Sequence, residues 1–320
     1  MNRSFAREFV DGAPAPTVSV VLPTRNRARL LDRAISSVLR QSVGDLELIV
    51  VDDGSTDDTA SVLAACQARD SRVRAIRPDP AGRGASAARN AGIAAARGEF
   101  VAFLDDDAEW APRKLERQLE AIREGGAGVV YCRFARVAAD GRARPIGSGA
   151  AARGDPWRAL LARAFIDTST LLVRSTALRA VGGFDEDLPR LQDWDLALRL
   201  ARVCRFAYVP EVLARTYETP GSISSRTDAL EAACERIASK VAASGATDAE
   251  LASLLRALGH ALVTSGSAGN GRRFLARAWR LQPFSVTGAA MLFLAVCGST
   301  AYRAADAVRL AIGSRWSERS

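Results

Sequence analysis

The sequence predicts an α/β fold in which a mostly parallel sheet is covered by helices on both faces. Over the first hundred residues, short β-rich apolar runs alternate with longer segments whose apolar residues recur at helical spacing. Polar clusters follow three of the apolar runs directly, and sheets of this kind bind ligands at the carboxyl ends of their strands. From about residue 228 onward, the chain is rich in Ala, Leu and Arg, which predicts a helical C-terminal extension.

The individual elements follow from the local pattern. Strand segments are short apolar runs rich in β-branched side chains, and helix segments place their apolar residues on one face. The predicted strands are 18–22, 46–51, 73–76, 100–104, 128–138 and 168–174, and the predicted helices are 28–41, 57–69, 86–96 and 113–124. A turn is expected at Asp140-Gly141, and a loose Gly/Ala/Arg-rich stretch over 141–155 interrupts the pattern.

The composition is that of a globular protein. Its 320 residues are 48% hydrophobic and 25% charged. The net charge of +8 comes almost entirely from arginine, since Lys114 and Lys240 are the only lysines, and such a surface suits phosphates or an anionic membrane face. The basic residues are scattered rather than interleaved with aromatic residues in a stripe, which argues against nucleic-acid binding.

The cysteines and the histidine exclude several kinds of chemistry. Five widely separated cysteines form no CxxC pair, so neither a zinc site nor a disulfide framework is expected. His260 is the only histidine and lies in an Ala/Leu-rich helical stretch, so catalysis by a histidine base is not expected.

The two ends of the chain predict no membrane span. Residues 1–16 lack the apolar core of a secretory signal and are expected to be flexible. The segment 281–302 is uncharged, but its strongly apolar part, 289–297, is far shorter than the roughly 20 residues that a spanning helix needs. A buried or interfacial helix is expected there, and the protein is expected to be cytoplasmic.

Three consecutive carboxylates, Asp105, Asp106 and Asp107, follow a predicted buried strand. At about 4 Å and an effective dielectric constant near 20, each adjacent pair would repel by roughly 4 kcal/mol, so a compensating charge is expected. If the run is extended, Asp105 and Asp107 project to one side, where they would suit Mg²⁺ or Mn²⁺. The alternative is a solvated acidic loop.

Two further clusters suggest a nucleotide site. Asp52 and Asp53 lie at a glycine turn, where a carboxylate can bind a heterocycle or cap a turn. Arg83 and Arg89 flank a glycine-rich loop that opens a helix, an arrangement that suits phosphate. This loop also fits G-x-G-x-x-A with Asp105 as a ribose acid, but two prolines separate it from its strand, which argues against a nicotinamide-dependent enzyme.

A third acidic pair, Asp193 and Asp195, lies at the start of a predicted helix. Acidic residues there can simply complement the helix dipole. The functional interpretation is a general base, which the transfer of a substituent onto a hydroxyl requires. A carboxylate would fill this role because the chain has a single histidine.

Taken together, these residues resemble family 2 glycosyltransferases with the GT-A fold. The resemblance covers about residues 17–225 and rests on five segments in order: VSVVLPTRNR, ELIVVDDGSTDDT, GASAARNAGIAAARGEFVAFLDDDAEWAPRKLERQ, FIDTSTLLVRSTALRAVGGFDE and LQDWDLALRLA. It implies a Rossmann-like, mostly parallel sheet, with 17–110 as the nucleotide-binding half, 111–225 as the acceptor half, and 226–320 as a helical C-terminal region.

The resemblance also implies an activity. It implies transfer of a sugar, with inversion, from a nucleotide-diphosphate donor to a glycan or lipid-linked hydroxyl in cell-surface polysaccharide or glycolipid synthesis. Mg²⁺ or Mn²⁺ is the expected cofactor. Peripheral contact with the cytoplasmic face of the membrane is expected through the basic, helical C-terminal region.

The resemblance gives residue roles. The nucleotide-sugar-binding residues would be Pro23, Thr24, Arg25, Asp53, Arg83, Arg89, Asp105 and Asp106, with Asp53 on the base. Asp107 would be the direct metal ligand of a D-x-D pair with Asp105, and Asp193 would be the catalytic base. The acceptor side would be lined by Gly182, Gly183, Phe184 and Trp194.

Two positions depart from the family pattern. Gln192 precedes Asp193 where the family commonly has glutamate, and Glu218-Thr219 replaces a histidine that many relatives carry before the PGS segment. The alternatives are a sugar-phosphate nucleotidyltransferase, whose G-G-x-G-T-R loop this chain lacks, and a non-catalytic nucleotide-sugar-binding relative.

Overall fold

The computed structural model describes residues 14–218 and 227–305. Within these ranges the chain forms two compact units. The first unit comprises 14–157, 165–187 and 192–218, and the second comprises 158–164, 188–191 and 227–305. The first unit contains the sheet and every residue of the predicted site.

The first unit begins with the predicted alternation of strands and helices. Its strands are β1 (Val18–Thr24), β2 (Leu46–Asp52), β3 (Val73–Ile76) and β4 (Phe100–Phe103), and its helices are α1 (Ala28–Leu39), α2 (Thr59–Arg69) and α3 (Ala85–Ala95). All seven elements agree with the predicted segments to within two residues at each end. Every residue of β1, β2 and β4 is buried, because helices cover both faces of a parallel sheet.

The second half of the unit completes a nine-stranded sheet with antiparallel pairs. The later elements are β5 (Ala108–Trp110), α4 (Lys114–Gly125), β6 (Val129–Val137), β7 (Ala143–Ile146), α5 (Ala150–Arg153), β8 (Leu172–Arg174), α7 (Ser175–Val181), α8 (Gln192–Ala201) and β9 (Phe206–Tyr217). A further helix, α6 (Pro156–Ala162), belongs to the second unit from residue 158 onward. The strand order is β3-β2-β1-β4-β8-β6-β9-β5, with β7 paired to β6. β8 runs antiparallel to β4, and β5 runs antiparallel to β9.

Two local predictions are wrong. The predicted strand 168–174 begins instead with a 3-10 turn, Thr168–Thr170, because the Asp167 side chain accepts a hydrogen bond from the Ser169 backbone N–H at 3.0 Å. Asp106 and Asp107 lie in a turn and not in an extended run, because the Ala108 backbone N–H donates to the Asp105 carbonyl at 3.0 Å.

A buried ion cluster lies at the start of β2, opposite the end that carries Asp52. The Glu47 carboxylate accepts hydrogen bonds from the Ser19 hydroxyl at 2.7 Å and the Arg97 backbone N–H at 2.9 Å. It also pairs with Arg74 at 2.9 Å. Burial alone would raise the pKa of Glu47, but the hydrogen bonds from Ser19, Arg97 and Arg74 outweigh it, so the pKa lies below its ordinary value.

Replacing Glu47 by glutamine should lower the free energy of unfolding at pH 7 by about 2 kcal/mol. The loss stays below that of a fully buried pair because Arg74 and Arg97 are 41% and 36% exposed and remain hydrated. The deficit should shrink as pH falls through the lowered pKa, where the wild-type carboxylate is protonated too. Urea titrations of Glu47→Gln and of the exposed control Glu99→Gln test this, and equal losses in both would contradict it.

The second unit consists mainly of helices. They are α9 (Thr227–Ala243), α10 (Asp248–Thr264), α11 (Ala268–Leu281) and α12 (Val286–Val296). A capping box between Thr247 and Glu250 starts α10. Helices α10 and α11 approach closely at Gly271, where an added β-carbon would lie 2.9 Å from the Gly259 carbonyl. Among the described helices, none combines the length and the apolar character that crossing a membrane demands.

Candidate active site

The carboxyl ends of three neighbouring strands bring the predicted site residues to one edge of the sheet. β1 and β2 pair in register, with Thr24 opposite Asp52, and β4 flanks β1 with Phe103 opposite Val21. The segments that follow these strands therefore begin side by side. Pro23 and Thr24 are the last two residues of β1.

Asp53 holds the glycine-rich loop that precedes α3. One carboxylate oxygen accepts hydrogen bonds from the Gly82 and Arg83 backbone N–H groups at 2.8 and 3.1 Å, and the other accepts one from Gly84 at 2.8 Å. Gly82 and Gly84 have φ angles of +80° and +95°, which favour glycine. Because both oxygens bind backbone, a contact between Asp53 and a base stays a prediction.

The two exposed arginines of the predicted nucleotide site flank this loop. The Arg25 guanidinium lies beside Gly82, with Nη1 3.7 Å from the point where a β-carbon would stand. Arg83 forms an ion pair with Glu186. Both cations therefore lie at the loop that precedes the α3 N-terminus, a setting that suits phosphate.

Each carboxylate of the acidic triplet has its own partner. Asp105 forms an ion pair with Arg89, and Asp107 lies 3.5 Å from Arg27 Nη1. Asp106 accepts a hydrogen bond from the Thr24 hydroxyl at 2.9 Å. The repulsion expected from the sequence is therefore offset in part by two arginines. Sequence reasoning missed Arg27, although it lies in the PTRNR segment that marked the site.

Asp106 is the most buried of the three carboxyl groups. Its side chain is 14% exposed, against 30% for Asp105 and 22% for Asp107. Burial raises the pKa of Asp106 to about 6, and the hydrogen bond from Thr24 opposes this shift. Asp105 and Asp107 are therefore the more accessible oxygen donors of the triplet.

These donors fit a hard divalent cation. Mg²⁺ and Mn²⁺ take one or two carboxylates and fill their other positions with water and substrate phosphates, and Asp105 and Asp107 offer such a set. Over 14–218 and 227–305, no group of three or more His, Cys, Asp and Glu side chains forms a closed metal centre.

Arg89 is a buried cation beneath the triplet. Its side chain is 7% exposed, and its Nε atom is buried without a hydrogen-bond partner among the described residues. The guanidinium lies 5.3 Å from the centroid of the Phe184 ring. The Phe184 ring packs edge-on against Phe103 with centroids 5.2 Å apart.

The predicted acceptor-side loop is fixed to helix α3 through Asn90. Its side-chain amide accepts a hydrogen bond from the Phe184 backbone N–H at 2.8 Å and donates to the Phe184 carbonyl at 2.9 Å. Gly182 and Gly183 have φ angles of +75° and +72°. Phe184 and Trp194 are each 3% exposed, so they present little surface to a ligand, and their place on the acceptor side stays a prediction.

Asp193 lies in the first turn of α8, near Arg89 and Asp105. Burial raises the pKa of its carboxyl group, the charge of Asp105 adds to this shift, and the Trp194 backbone N–H and the Arg89 charge oppose it. A carboxylate whose pKa moves toward neutrality suits a general base. Asp195, the other candidate of the pair, is engaged with Arg199, whose Nε lies 2.9 Å from its Oδ2.

Asp167 is a further carboxyl group of the site, and sequence reasoning missed it. Burial and the charges of Asp105 and Asp193 raise its pKa to about 7. Its side chain caps the turn through Ser169, whose hydroxyl accepts a hydrogen bond from the Asp105 backbone N–H at 3.3 Å. The FIDTST segment carried the position, but no spacing pattern marked this aspartate.

Comparison with known proteins agrees with this geometry. Residues 19–180 match the model of the family described as Glycosyl transferase family 2. The chain belongs to this family. The match spans half of the chain. It confirms the predicted family and the general prediction that the protein is a glycosyltransferase.

Similar proteins extend the comparison. The chain is 42% identical over 114 residues to the GalNAc(5)-diNAcBac-PP-undecaprenol beta-1,3-glucosyltransferase of Campylobacter jejuni, a match that covers 36% of this chain and 37% of that relative. Among solved structures, it is similar to S. aureus TarS 1-349 in complex with UDP-GlcNAc (TM-score 0.68, 18% identity, 90% and 89% of the two chains). It is also similar to the Pyrobaculum calidifontis mannosyltransferase PcManGT in complex with GDP-Man and Mn²⁺ (TM-score 0.59, 21% identity, 89% and 80%). These structures confirm the GT-A fold with C-terminal helices.

Proposed function

We propose that this family 2 glycosyltransferase is inverting and metal-dependent, and that it moves a sugar from a nucleotide-diphosphate donor to an acceptor hydroxyl. The complexes of the two structural neighbours with UDP-GlcNAc and GDP-Man support a nucleotide-sugar donor. The name of the Campylobacter relative, a glucosyltransferase for an undecaprenol-linked glycan, supports a role in cell-surface polysaccharide or glycolipid synthesis.

The observation that carries the proposal is the position of Asp193 beside the Arg89–Asp105 ion pair. As the acceptor oxygen attacks the anomeric carbon, Asp193 takes the hydroxyl proton. The bond from the anomeric carbon to the diphosphate oxygen breaks on the opposite face, and the bond electrons leave with the nucleoside diphosphate. Because the acceptor attacks one face and the diphosphate leaves from the other, the anomeric configuration is inverted.

The basic residues would bind the donor diphosphate. Arg25 and Arg83 lie at the loop before α3, where they would contact the phosphates and orient the donor. Asp105 and Asp107 would hold Mg²⁺ or Mn²⁺. When bound, such an ion supplies positive charge that stabilises the departing diphosphate.

A donor panel tests the proposal. UDP-, GDP- and dTDP-sugars are incubated with the full chain, and release of the nucleoside diphosphate is measured with Mn²⁺, with Mg²⁺ or with EDTA. We expect release from at least one donor with metal and a fall of at least about a hundredfold with EDTA. Asp107→Asn should reproduce the EDTA effect. The exposed control Asp140→Asn, which pairs with Arg142 in the β6–β7 turn, should match wild type.

The outcomes separate the alternatives. Binding of a donor without release under any condition would indicate a non-catalytic relative. Release of pyrophosphate from a nucleoside triphosphate and a sugar phosphate would indicate a nucleotidyltransferase. Neither binding nor release with any donor would contradict the proposed function.

A further inference from the structure

Helix α12 of the second unit exposes an apolar face. Phe293 and Val296 are 68% and 66% exposed, Val286 at its first turn is 83% exposed, and Phe284 just before it is 97% exposed. Within α12 only Gly288 and Ala295 are buried. Large apolar side chains at such exposure form a contiguous patch, and patches of this kind mark interaction surfaces.

Six of the seven exposed residues between 286 and 297 share one side of the helix, and Thr287 lies beside that side. They follow one another at intervals of three or four residues, which is the spacing of one helix face. This face consists of Val286, Ala289, Ala290, Phe293, Val296 and Cys297. It carries no charged side chain and no hydroxyl, so an aqueous environment stabilises it poorly.

Arginines outnumber acids near this face, although Arg277 of α11 pairs with Glu235 of α9 at 2.8 Å. Residues 251–305 contain six arginines and no aspartate or glutamate. Arg272 of α11 lies at the C-terminal end of α12, with Nη1 3.5 Å from the Ala295 carbonyl oxygen. Arg273 and Arg280 of α11 are also exposed, and Trp279 on the same helix is 41% exposed.

We propose that α12 and the exposed side of α11 form a docking surface for an anionic lipid bilayer. The apolar face of α12 enters the boundary between headgroups and acyl chains, and the arginines of α11 contact lipid phosphates. Trp279 lies at the headgroup level, where tryptophan is enriched. At 1.5 Å per residue α12 is only about 16 Å long, so it lies in the plane of the membrane and does not cross it.

The charge pattern favours lipid over a second copy of the chain. In a symmetric dimer through this face, the same arginines would meet across the interface with no acid between 251 and 305 to pair with them. An anionic bilayer supplies the missing negative charge. The inference goes beyond the proposed sugar transfer and does not depend on it.

Vesicle co-sedimentation of the full chain tests the docking surface. Phosphatidylcholine vesicles with and without about 30% phosphatidylglycerol are compared at about 0.1 and 1 M NaCl, where the screening length falls from about 10 to 3 Å. We expect at least tenfold stronger partition onto the anionic vesicles at low salt. In the double variant Phe293→Glu/Val296→Glu, partition onto the anionic vesicles should fall at least tenfold. In the control Val203→Glu, which changes a 53% exposed valine of the first unit, partition should stay at the wild-type level.

A dye on Cys297 reports which surface is engaged. Cys297 is exposed, whereas Cys66, Cys132 and Cys234 are buried and Cys204 is partly buried. The fluorophore is therefore attached to Cys204→Ser, in which Cys297 is the one exposed thiol of the described residues, with Cys204→Ser/Cys297→Ser as the labelling control. We expect a blue shift of the emission on addition of anionic vesicles. Absence of binding by wild type, or binding without a blue shift, would overturn the proposal. The proposal would also be overturned if the wild-type chain were a dimer that Phe293→Glu/Val296→Glu dissociates. The same holds if Cys297 proved inaccessible to the dye.

Discussion

Replacing Asp193 by asparagine should reduce sugar transfer by at least about a thousandfold and leave donor affinity within about twofold. Asparagine keeps the size of the side chain and can still accept the hydrogen bond that the Trp194 backbone N–H donates at 2.8 Å. It cannot take the proton of the acceptor hydroxyl. Turnover by nucleoside-diphosphate release in the presence of acceptor, and donor affinity by calorimetry, measure the two quantities.

Asp195 provides the matched control in the same helical turn. Asp195→Asn removes the partner of Arg199 and should therefore lower thermal stability. It should leave turnover per folded molecule close to wild type, because this carboxylate faces Arg199 and not the triplet. Loss of donor binding in Asp193→Asn would instead indicate a structural role for Asp193. If Asp193→Asn retained sugar transfer, a residue other than Asp193 would have to be the general base.

The pH dependence provides a second measurement on Asp193. A general base works when it is deprotonated, so transfer should rise with pH through the pKa of Asp193. Because burial and Asp105 raise this pKa, the acid limb of the profile should lie above the ordinary range of aspartate. The limb should vanish from the residual activity of Asp193→Asn.

The first half of the fold was predictable because its signals are local. The strands β1, β2 and β4 are buried apolar runs, and β1 pairs in parallel with the other two, so each segment can be recognised on its own. The short strand β5 could not be found in this way. Its three residues pair with β9 about a hundred residues later, and only that long-range contact makes them a strand.

The site, like the fold, was predictable where its signals are local. Parallel strands brought Thr24, Asp53 and the triplet to one edge, as their positions after apolar runs indicated. The environment of Asp167 depends on burial and on two carboxylates far along the chain, which no local pattern encodes. Phe184 and Trp194 were assigned to the acceptor side from the resemblance, and the burial of both side chains could not be read from the sequence.

Asp167 makes a large expected contribution to the pH dependence of stability. Its pKa is about 7 in the folded protein, against 3.8 for an ordinary aspartate, so the folded state retains a proton that the unfolded state releases. Between these values the unfolded state binds fewer protons, and stability falls as pH rises. Asparagine cannot ionise, so Asp167→Asn should abolish this decline.

We therefore expect Asp167→Asn to raise the free energy of unfolding at pH 8 by on the order of 3 kcal/mol more than at pH 4. The asparagine oxygen can keep the hydrogen bond from the Ser169 backbone N–H, so the turn is preserved. Urea titrations are run in EDTA, because a divalent cation near Asp105 would lower the pKa of its neighbours. The exposed control Asp140→Asn should show no gain at pH 8.

The same substitution should leave the acid limb of transfer in place below pH 7. Asp167 keeps its proton there, so asparagine removes no negative charge from the neighbourhood of Asp193. The charges that act on the Asp193 carboxyl are those of Asp105 and Arg89, and both are retained in the variant. A limb that moved to lower pH would show that Asp167 is ionised while Asp193 titrates. An equal change in stability at both pH values would show that the Asp167 carboxyl does not hold its proton in the folded protein.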